Sequence, residues 1–394
     1  MIHSPDSGEW KAMRLLLAAA LASMTGAATA QVPDSDIPIG IEAPTILSPS
    51  GTAENLGMRL VIRAVNDAGG IHGRKLVERS YARTKSGAAG DAEVMEHVAR
   101  LADQDHMLLL WNHGGTVSTR LAPFAMAHKL PYMFPHTGLL DKDDDRYVFT
   151  SFPHYDGETR MMFRYLARDR GMKRIAILYD PNAYGRYFRD RLRALAADNG
   201  YAVAGEEAVE QTLPTDLTAQ MQRLKDVKPD AIVMALYPPQ AKRVMEAKAR
   251  LDWKEVRMVS TGPLTDEEYL NVPGGYAEGT LGLCYYPDPN RSDAPGVAAY
   301  RRLMARYFPD EKLNRYSLYG YAFGQMVAEG LRRAGPNPTR ERFIDAMESI
   351  KNWDSGGILP PVTFSKTNHH AQQAGFVCEL QQSHFVALGG WITP

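Results

Sequence analysis

From Ile37 to Ser260 the sequence alternates short apolar runs with longer segments whose apolar residues return every three or four positions. It does so in two series. In the first, Ile37-Pro38-Ile39-Gly40-Ile41 reads as a strand, and 51–68 carries Leu56, Leu60, Val61, Ala64, Val65 and Ala68 on one helical face. Gly69-Gly70 closes that helix, and the next strand opens at Gly73. A helix over 91–103, a strand over 107–111, a helix over 116–128 and a strand over 130–134 follow. The second series begins after Phe152-Pro153, with helices expected at 156–171, 184–199, 215–227 and 239–252. Strands at 174–179, 201–205, 231–236 and 256–260 lie between and after them. Alternation of this kind implies parallel sheets covered on both faces, and two series imply two doubly wound α/β lobes. Ligands of such sheets sit beyond the carboxyl ends of the strands.

After Gly279 the pattern changes. A strand over 280–286 and a Pro287-Asp288-Pro289-Asn290 turn lead to helices around 294–307, 316–334 and 339–350, and the tail reads as a hairpin near 375–380 and 385–388. A chain that builds two lobes and then returns to finish both must cross between them several times. With 394 residues, 44% of them hydrophobic, there is enough chain for two substantial cores. The 45 basic and 46 acidic side chains nearly cancel, so nothing suggests nucleic acid or an anionic membrane as partner.

The N-terminus has its own grammar. Lys11 and Arg14 precede an apolar run over 15–22, and Ala28-Thr29-Ala30 ends before Gln31. This is the pattern of a secretory signal peptide over 1–30, too short to span a bilayer. With no cysteine near the cleavage site, a soluble product is expected. In the mature chain, Cys284 and Cys378 are equally compatible with a disulfide and with two separate buried thiols. No CxxC or HExxH spacing supplies a metal motif. The stretch GGIHGRK follows a helix rather than a strand, which disqualifies it as a phosphate loop.

One turn carries chemistry. Gly114-Gly115-Thr116-Val117-Ser118-Thr119 follows the apolar run over 107–110 and precedes a helix, so its free backbone N–H groups face whatever lies above the strand. A phosphate cradle would want a nearby lysine and a metal-holding hydroxyl, and a nucleophile would want a GxSxG elbow; neither motif is present. Gripping a small ligand by its carboxylate is the third reading open to such a turn.

Four stretches, IPIGIEAPTILSPSGTAENLGMRLVIRAVNDAGGIHGRKL, AILYDPNAYGRYFRDRL, KPDAIVMALYPPQAKRVMEAKA and YSLYGYAFGQMVAEGLRRAG, resemble in order and spacing the periplasmic leucine/isoleucine/valine-binding proteins. The resemblance implies a type I periplasmic binding fold: two doubly wound parallel-sheet lobes joined by three crossing segments, with a cleft that closes on ligand. It divides the mature chain into 36–153 plus 285–350 and 154–284 plus 355–394. It implies a monomeric solute-binding protein, without cofactor or catalysis, that delivers a solute to the permease of an inner-membrane ABC importer. Sensing for a signalling partner uses the same cleft and stays open as an alternative.

By the same resemblance, the turn at Gly115 and Thr116 and the turn at His136-Thr137-Gly138 hold a ligand carboxylate, which suits the dipole and open amides of a helix N-terminus. Tyr184 matches a tyrosine that packs over the ligand, Tyr155 and Tyr237 correspond to other cleft positions, and Ser50 takes the place of an aromatic at the cleft edge. The acid that receives the ligand ammonium in amino-acid binders falls on Leu264, unless the alignment slips to Asp266 or Glu267. A buried ammonium without a carboxylate is costly, so the expected ligand is a small carboxylate or polar compound with an apolar or aromatic body, not an α-amino acid. Amino-acid binding is the alternative. His113, His136 and His154 form an expected histidine rim for hydrogen bonding or ring stacking, with a metal-dependent enzyme as the reading from another class. His369-His370 is expected to be solvated.

Overall fold

The structure, a computed structural model, describes residues 36–43, 49–85, 87–111, 114–115, 117–140, 145–210, 216–265 and 274–394. The expected signal peptide over 1–30 lies outside the described residues. Residues Ile37–Pro394 form one unit built on two sheets.

The first sheet contains β1 (Ile37–Ile41), β2 (Leu76–Arg79), β3 (Leu109–Trp111), β4 (Tyr132–Met133) and β5 (Val148–Phe149), ordered β2-β1-β3-β4-β5 and parallel throughout. The second contains β6 (Ile175–Tyr179), β7 (Gly205–Ala208), β8 (Ala231–Ala235), β9 (Arg257–Ser260), β10 (Leu281–Cys284), β11 (Phe376–Gln381) and β12 (His384–Ala387). Its order is β12-β11-β10-β9-β8-β6-β7, parallel from β6 to β10 and antiparallel in the last two strands. In each sheet the winding reverses beside its first strand, between β1 and β3 and between β6 and β8. These are the switch points where the carboxyl ends of strands leave a crevice.

The helices follow from the same periodicities. On the first sheet lie α1 (Pro49–Asp67), α2 (Gly87–Asp103) and α3 (Ser118–Ala127). On the second lie α4 (Tyr155–Arg164), α5 (Ala183–Asp198), α6 (Thr218–Asp226) and α7 (Pro238–Arg250). The returning helices α8 (Pro295–Tyr307), α9 (Arg315–Ala334) and α10 (Arg340–Glu348) pack into the first sheet's core, where Tyr300, Phe323 and Phe343 join Ile39, Leu109 and Phe149. Alternation along β8 assigns Ile232 and Met234 to one face and Ala231, Val233 and Ala235 to the other, and both faces are buried. The pairing of α1 with α9 is close because glycines meet. A Cβ on Gly57 would lie 2.2 Å from Ser317 O, and one on Gly320 would lie 2.0 Å from Glu54 O.

Three segments carry the chain between the sheets: 150–154, the Tyr285-Tyr286 pair after β10, and 369–375. They are laced together. Thr150 N donates to His369 O (3.0 Å), Ala371 N to Thr150 O (2.9 Å), and the buried Gln372 Nε2 to Tyr285 O (3.1 Å). Arg315, 3% exposed at the start of α9, adds a further tie by donating to carbonyls of Tyr286, Thr265 and Phe385. Cys284 and Cys378 form a disulfide between β10 and β11, with Cα atoms 6.0 Å apart, which resolves the alternative left open by the sequence.

Other readings need correction. The strand expected at 201–205 lies at Gly205–Ala208, and β5 was not expected at all. The helix expected over 156–171 ends at Arg164 and passes into one turn of π-helix, Tyr165–Asp169. His369 and His370 are not solvated: they are 1% and 3% exposed. The His369 ring stacks on Phe149 at 4.0 Å, and its Nε2 lies 3.2 Å from Glu348 Oε1, so the polar pair closes a crossing instead of decorating a loop. Among the described residues no helix is long and apolar enough to cross a membrane.

Candidate functional site

Beyond β3 the chain turns through Gly114 and Gly115, whose φ values of +94° and +79° lie in the left-handed region that glycine enters without strain. Gly114 forms a parallel bridge with His136, and a Cβ there would lie 2.5 Å from His136 N, so the two turns can be neighbours only with glycine at 114. A Cβ at Gly115 would meet nothing within 4 Å. His113 and Thr116, both expected ligand residues, lie outside the described residues. Ser118 Oγ lies 3.0 Å from the buried Tyr132 hydroxyl and serves the core.

The second turn of this cup is more occupied than the sequence suggests. His136 Nδ1 pairs with Glu54 from α1, with side chains 7% and 1% exposed, and its ring stacks on Tyr319 at 5.1 Å. Neighbouring Asn55 binds Glu42 O (3.0 Å) and accepts from Trp111 Nε1 (3.1 Å), so α1 fastens the ends of β1 and β3 together. Thr137 is buried, and its Oγ1 accepts from Leu139 N at 3.2 Å. Gly138 reaches the second sheet's side: its carbonyl accepts from Tyr155 N at 3.1 Å. Ser50 sits half-buried in the first turn of α1, one helical turn before Glu54.

Facing the cup, three tyrosines form a row, with Tyr155–Tyr184 ring centroids 5.3 Å apart and Tyr184–Tyr237 5.4 Å apart. Asn182 caps α5 by accepting from Gly185 N (3.1 Å), and its amide donates to the Tyr237 hydroxyl (3.1 Å). The Tyr184 hydroxyl bonds Thr261 Oγ1, beyond β9. Burial pushes the Tyr155 and Tyr184 hydroxyls well up and that of Tyr237 to about 12, so all three stay neutral hydrogen-bonding groups.

Leu264 is not in this row. It is fully buried in the second sheet's core beside residues such as Met258, Cys284 and Phe376. Asp266 and Glu267 lie outside the described residues. Of the expected histidine rim, His136 is engaged with Glu54 and the His154 ring lies 4.2 Å from His370 at the crossings, while His113 lies outside the described residues. Among the described residues no three His, Cys, Asp or Glu side chains come within reach of one metal ion.

The periplasmic binding protein family model matches residues 45–384. The chain belongs to that family. A Leu/Ile/Val-binding protein homolog 3 of Brucella melitensis is 22% identical over 368 residues, covering 90% of this chain and 94% of its own. A branched-chain amino acid ABC transporter protein of Thermus thermophilus, solved with valine bound, has the same fold, with a TM-score of 0.80, 17% identity, and 91% and 97% of the two chains covered. A fatty acid ABC transporter substrate-binding protein of Thermomonospora curvata superposes almost equally well, with a TM-score of 0.79, 18% identity, and 92% and 94% covered. One fold is thus shared with proteins named for quite different solutes.

In this periplasmic binding protein, sequence reasoning missed three groups beside the tyrosine row. Glu158, 2% exposed in the first turn of α4, accepts from Gly262 N at 2.8 Å with its Oε1. Burial raises its carboxyl to about 7, against the opposing pull of the Gly262 amide and the Tyr285 hydroxyl. Tyr285 and Tyr286 are 2% and 5% exposed, and the Tyr285 hydroxyl stands against the Glu158 carboxyl. Nothing local marks Glu158, which reads as an ordinary acid at a helix start. The tyrosine pair was absorbed into an expected strand that in fact ends at Cys284.

Proposed function

We propose that this chain is an exported solute-binding protein that closes two lobes, 36–153 plus 285–350 and 154–284 plus 355–394, over a small carboxylate-bearing solute and presents it to the permease of an ABC importer. The observation that carries this reading is the Gly138–Tyr155 contact. It brings the amide-rich turns beyond β3 and β4 against a row of neutral tyrosines from the other sheet. The cup supplies main-chain donors and the helix N-termini a favourable dipole for an anion. The row supplies an apolar wall with hydroxyl tips. A solute touching both sides favours the closed form through its differential contacts.

Amino-acid binding is a second reading with its own support. Leu264, which stands where amino-acid binders carry an acid, is committed to the core, and relatives of this chain carry amino-acid-binding names. Calorimetric titration of exported, refolded protein with aliphatic and aromatic carboxylates and with L-amino acids tests the proposal. Micromolar or tighter binding of one member is expected, and failure of every carboxylate-bearing compound to bind would remove it. The expected export signal is checked by an N-terminus at Gln31 in the mature protein.

A further inference from the structure

The helices α1 and α9 touch where glycine allows it and part where both carry short side chains. At Gly324 a Cβ would lie 3.0 Å from Val61 Cγ2 and 3.1 Å from Met58 Sδ, so the two helices are in contact there. One turn further along, Ala64 and Val65 on α1 and Ala328 on α9 leave space, and Leu303 of α8 and the half-buried Trp353 wall it in. The result is a groove of about 380 Å³, at the small end of the range that holds organic ligands. It lies well away from the cup: Val65 is eleven residues beyond Glu54, or about 16 Å along the helix.

The polar groups of this groove are arranged for an anion. Tyr321 lines it and is 2% exposed. Its hydroxyl accepts from Gln325 Nε2 at 2.7 Å, and among the described residues nothing accepts its proton. Burial pushes that hydroxyl up, and the Arg302 guanidinium of α8 stands near enough to oppose the push. Arg302 is exposed and has no ion pair among the described residues, whereas Arg306, one turn on, is held by Asp67 at 3.1 Å. Arg332 also lines the groove; Glu329 is 3.5 Å from it and is bonded more closely by Arg333, at 2.8 Å. Asp354 is the one acid on the described lining, and its Oδ1 accepts from Gly356 N at 2.8 Å. Two cations against one acid favour a single negative charge over a double one.

We propose that the groove between α1 and α9 is a second small-molecule site, distinct from the cleft, for a compact monocarboxylic acid with an aromatic or branched apolar body. The body lies along the alanines of the two helices against Trp353. The carboxylate accepts from the Tyr321 hydroxyl and faces Arg302 and Arg332, and such charge-assisted bonds are stronger than those a neutral group makes. The site stands whether or not the cleft takes a carboxylate.

The probes are 4-phenylbutanoate and 4-phenylbutan-1-ol, alike in body and different in charge. Fluorine NMR of the full mature protein labelled with 5-fluorotryptophan reads the groove through Trp353, whose resonance is assigned by its loss in Trp353→Phe; a solute held in the cleft does not touch this ring. The Trp353 resonance is expected to shift saturably with the acid at a concentration at least about tenfold lower than the alcohol needs. Arg302→Gln, at an exposed position, brings the two probes within about threefold, and Ala64→Leu, which fills the groove, weakens the acid at least about tenfold. A Trp353 resonance that the acid does not move at millimolar concentration, an alcohol that binds as well as the acid, or a preference that survives Arg302→Gln overturns the site. So does acid affinity unchanged in a folded Ala64→Leu protein; if that variant fails to fold, Arg302→Gln decides alone.

Discussion

The amide of Tyr155 donates to the carbonyl of Gly138, joining the turn beyond β4 to the first residue of α4 at 3.1 Å. The contact is as close as side-chain-free backbone allows. A Cβ on Gly138 would lie 2.4 Å from Tyr155 Cδ1 and 2.8 Å from Pro153 O. Gly138→Ala is therefore expected to push Tyr155 out of its row, destabilising the protein by about 1–3 kcal/mol and weakening solute affinity about tenfold or more. Urea denaturation and calorimetry read the two effects. Wild-type affinity in a folded G138A protein would show that the contact does not shape the cleft.

Glu54 and His136 form a buried pair where α1 meets the turn beyond β4. Removing one partner strands the other, so Glu54→Gln is expected to cost about 3–5 kcal/mol, more than a surface charge change would. A double variant, Glu54→Gln with His136→Phe, should recover part of that loss, because both polar partners are then gone. Chemical denaturation of the three proteins measures the coupling.

Glu158 makes the ligand-free protein sensitive to pH in a direction opposite to most carboxylates. Its folded value of about 7 stands above the ordinary 4.5, so the folded state holds the proton more tightly. That contribution is fully present below about pH 4.5 and is lost as pH rises through about 7, amounting to about 3 kcal/mol at full extent. Thermal melts of wild-type and E158Q proteins across pH 4.5–8 should converge at the acid end and separate toward the alkaline end, with the variant the more stable there. Parallel curves would show that Glu158 is solvated.

The Cys284–Cys378 disulfide closes a separation of 94 residues, which includes α8, α9 and α10. Reduction, or Cys284→Ala with Cys378→Ala, is expected to cost about 2–4 kcal/mol, because the unfolded chain regains the freedom of a long loop. A thiol titration of the native protein should find no free thiol. The solute affinity of the double variant should hardly change, since both sulfurs lie in the core on the far side of Leu283 and away from the tyrosine row.

Tyr184 was expected in the cleft only through the family resemblance of AILYDPNAYGRYFRDRL; Asn182, the helix cap two residues before it, is the local feature that starts its helix. Gly114 and Gly115 were legible as a turn for a similarly local reason. Leu264 misled because a motif position says nothing of which way a short 3-10 turn faces; here Gly262–Leu264 points its leucine into the core. His369 and His370 misled because their burial depends on Phe149 and Glu348, far away in the chain.

What the sequence determined by itself is whatever a few neighbouring residues decide: two alternating strand–helix series, the glycine turns at the ends of strands, and the hairpin that completes the second sheet. Those depend on backbone periodicity and on bonds spanning four residues or fewer. Only the tertiary structure decided that Glu158 meets the amide of Gly262, 104 residues on, and that Glu54 lies under His136, 82 residues on. Such meetings are set by how two sheets and their crossings close together, and no local pattern encodes which buried acid meets which partner.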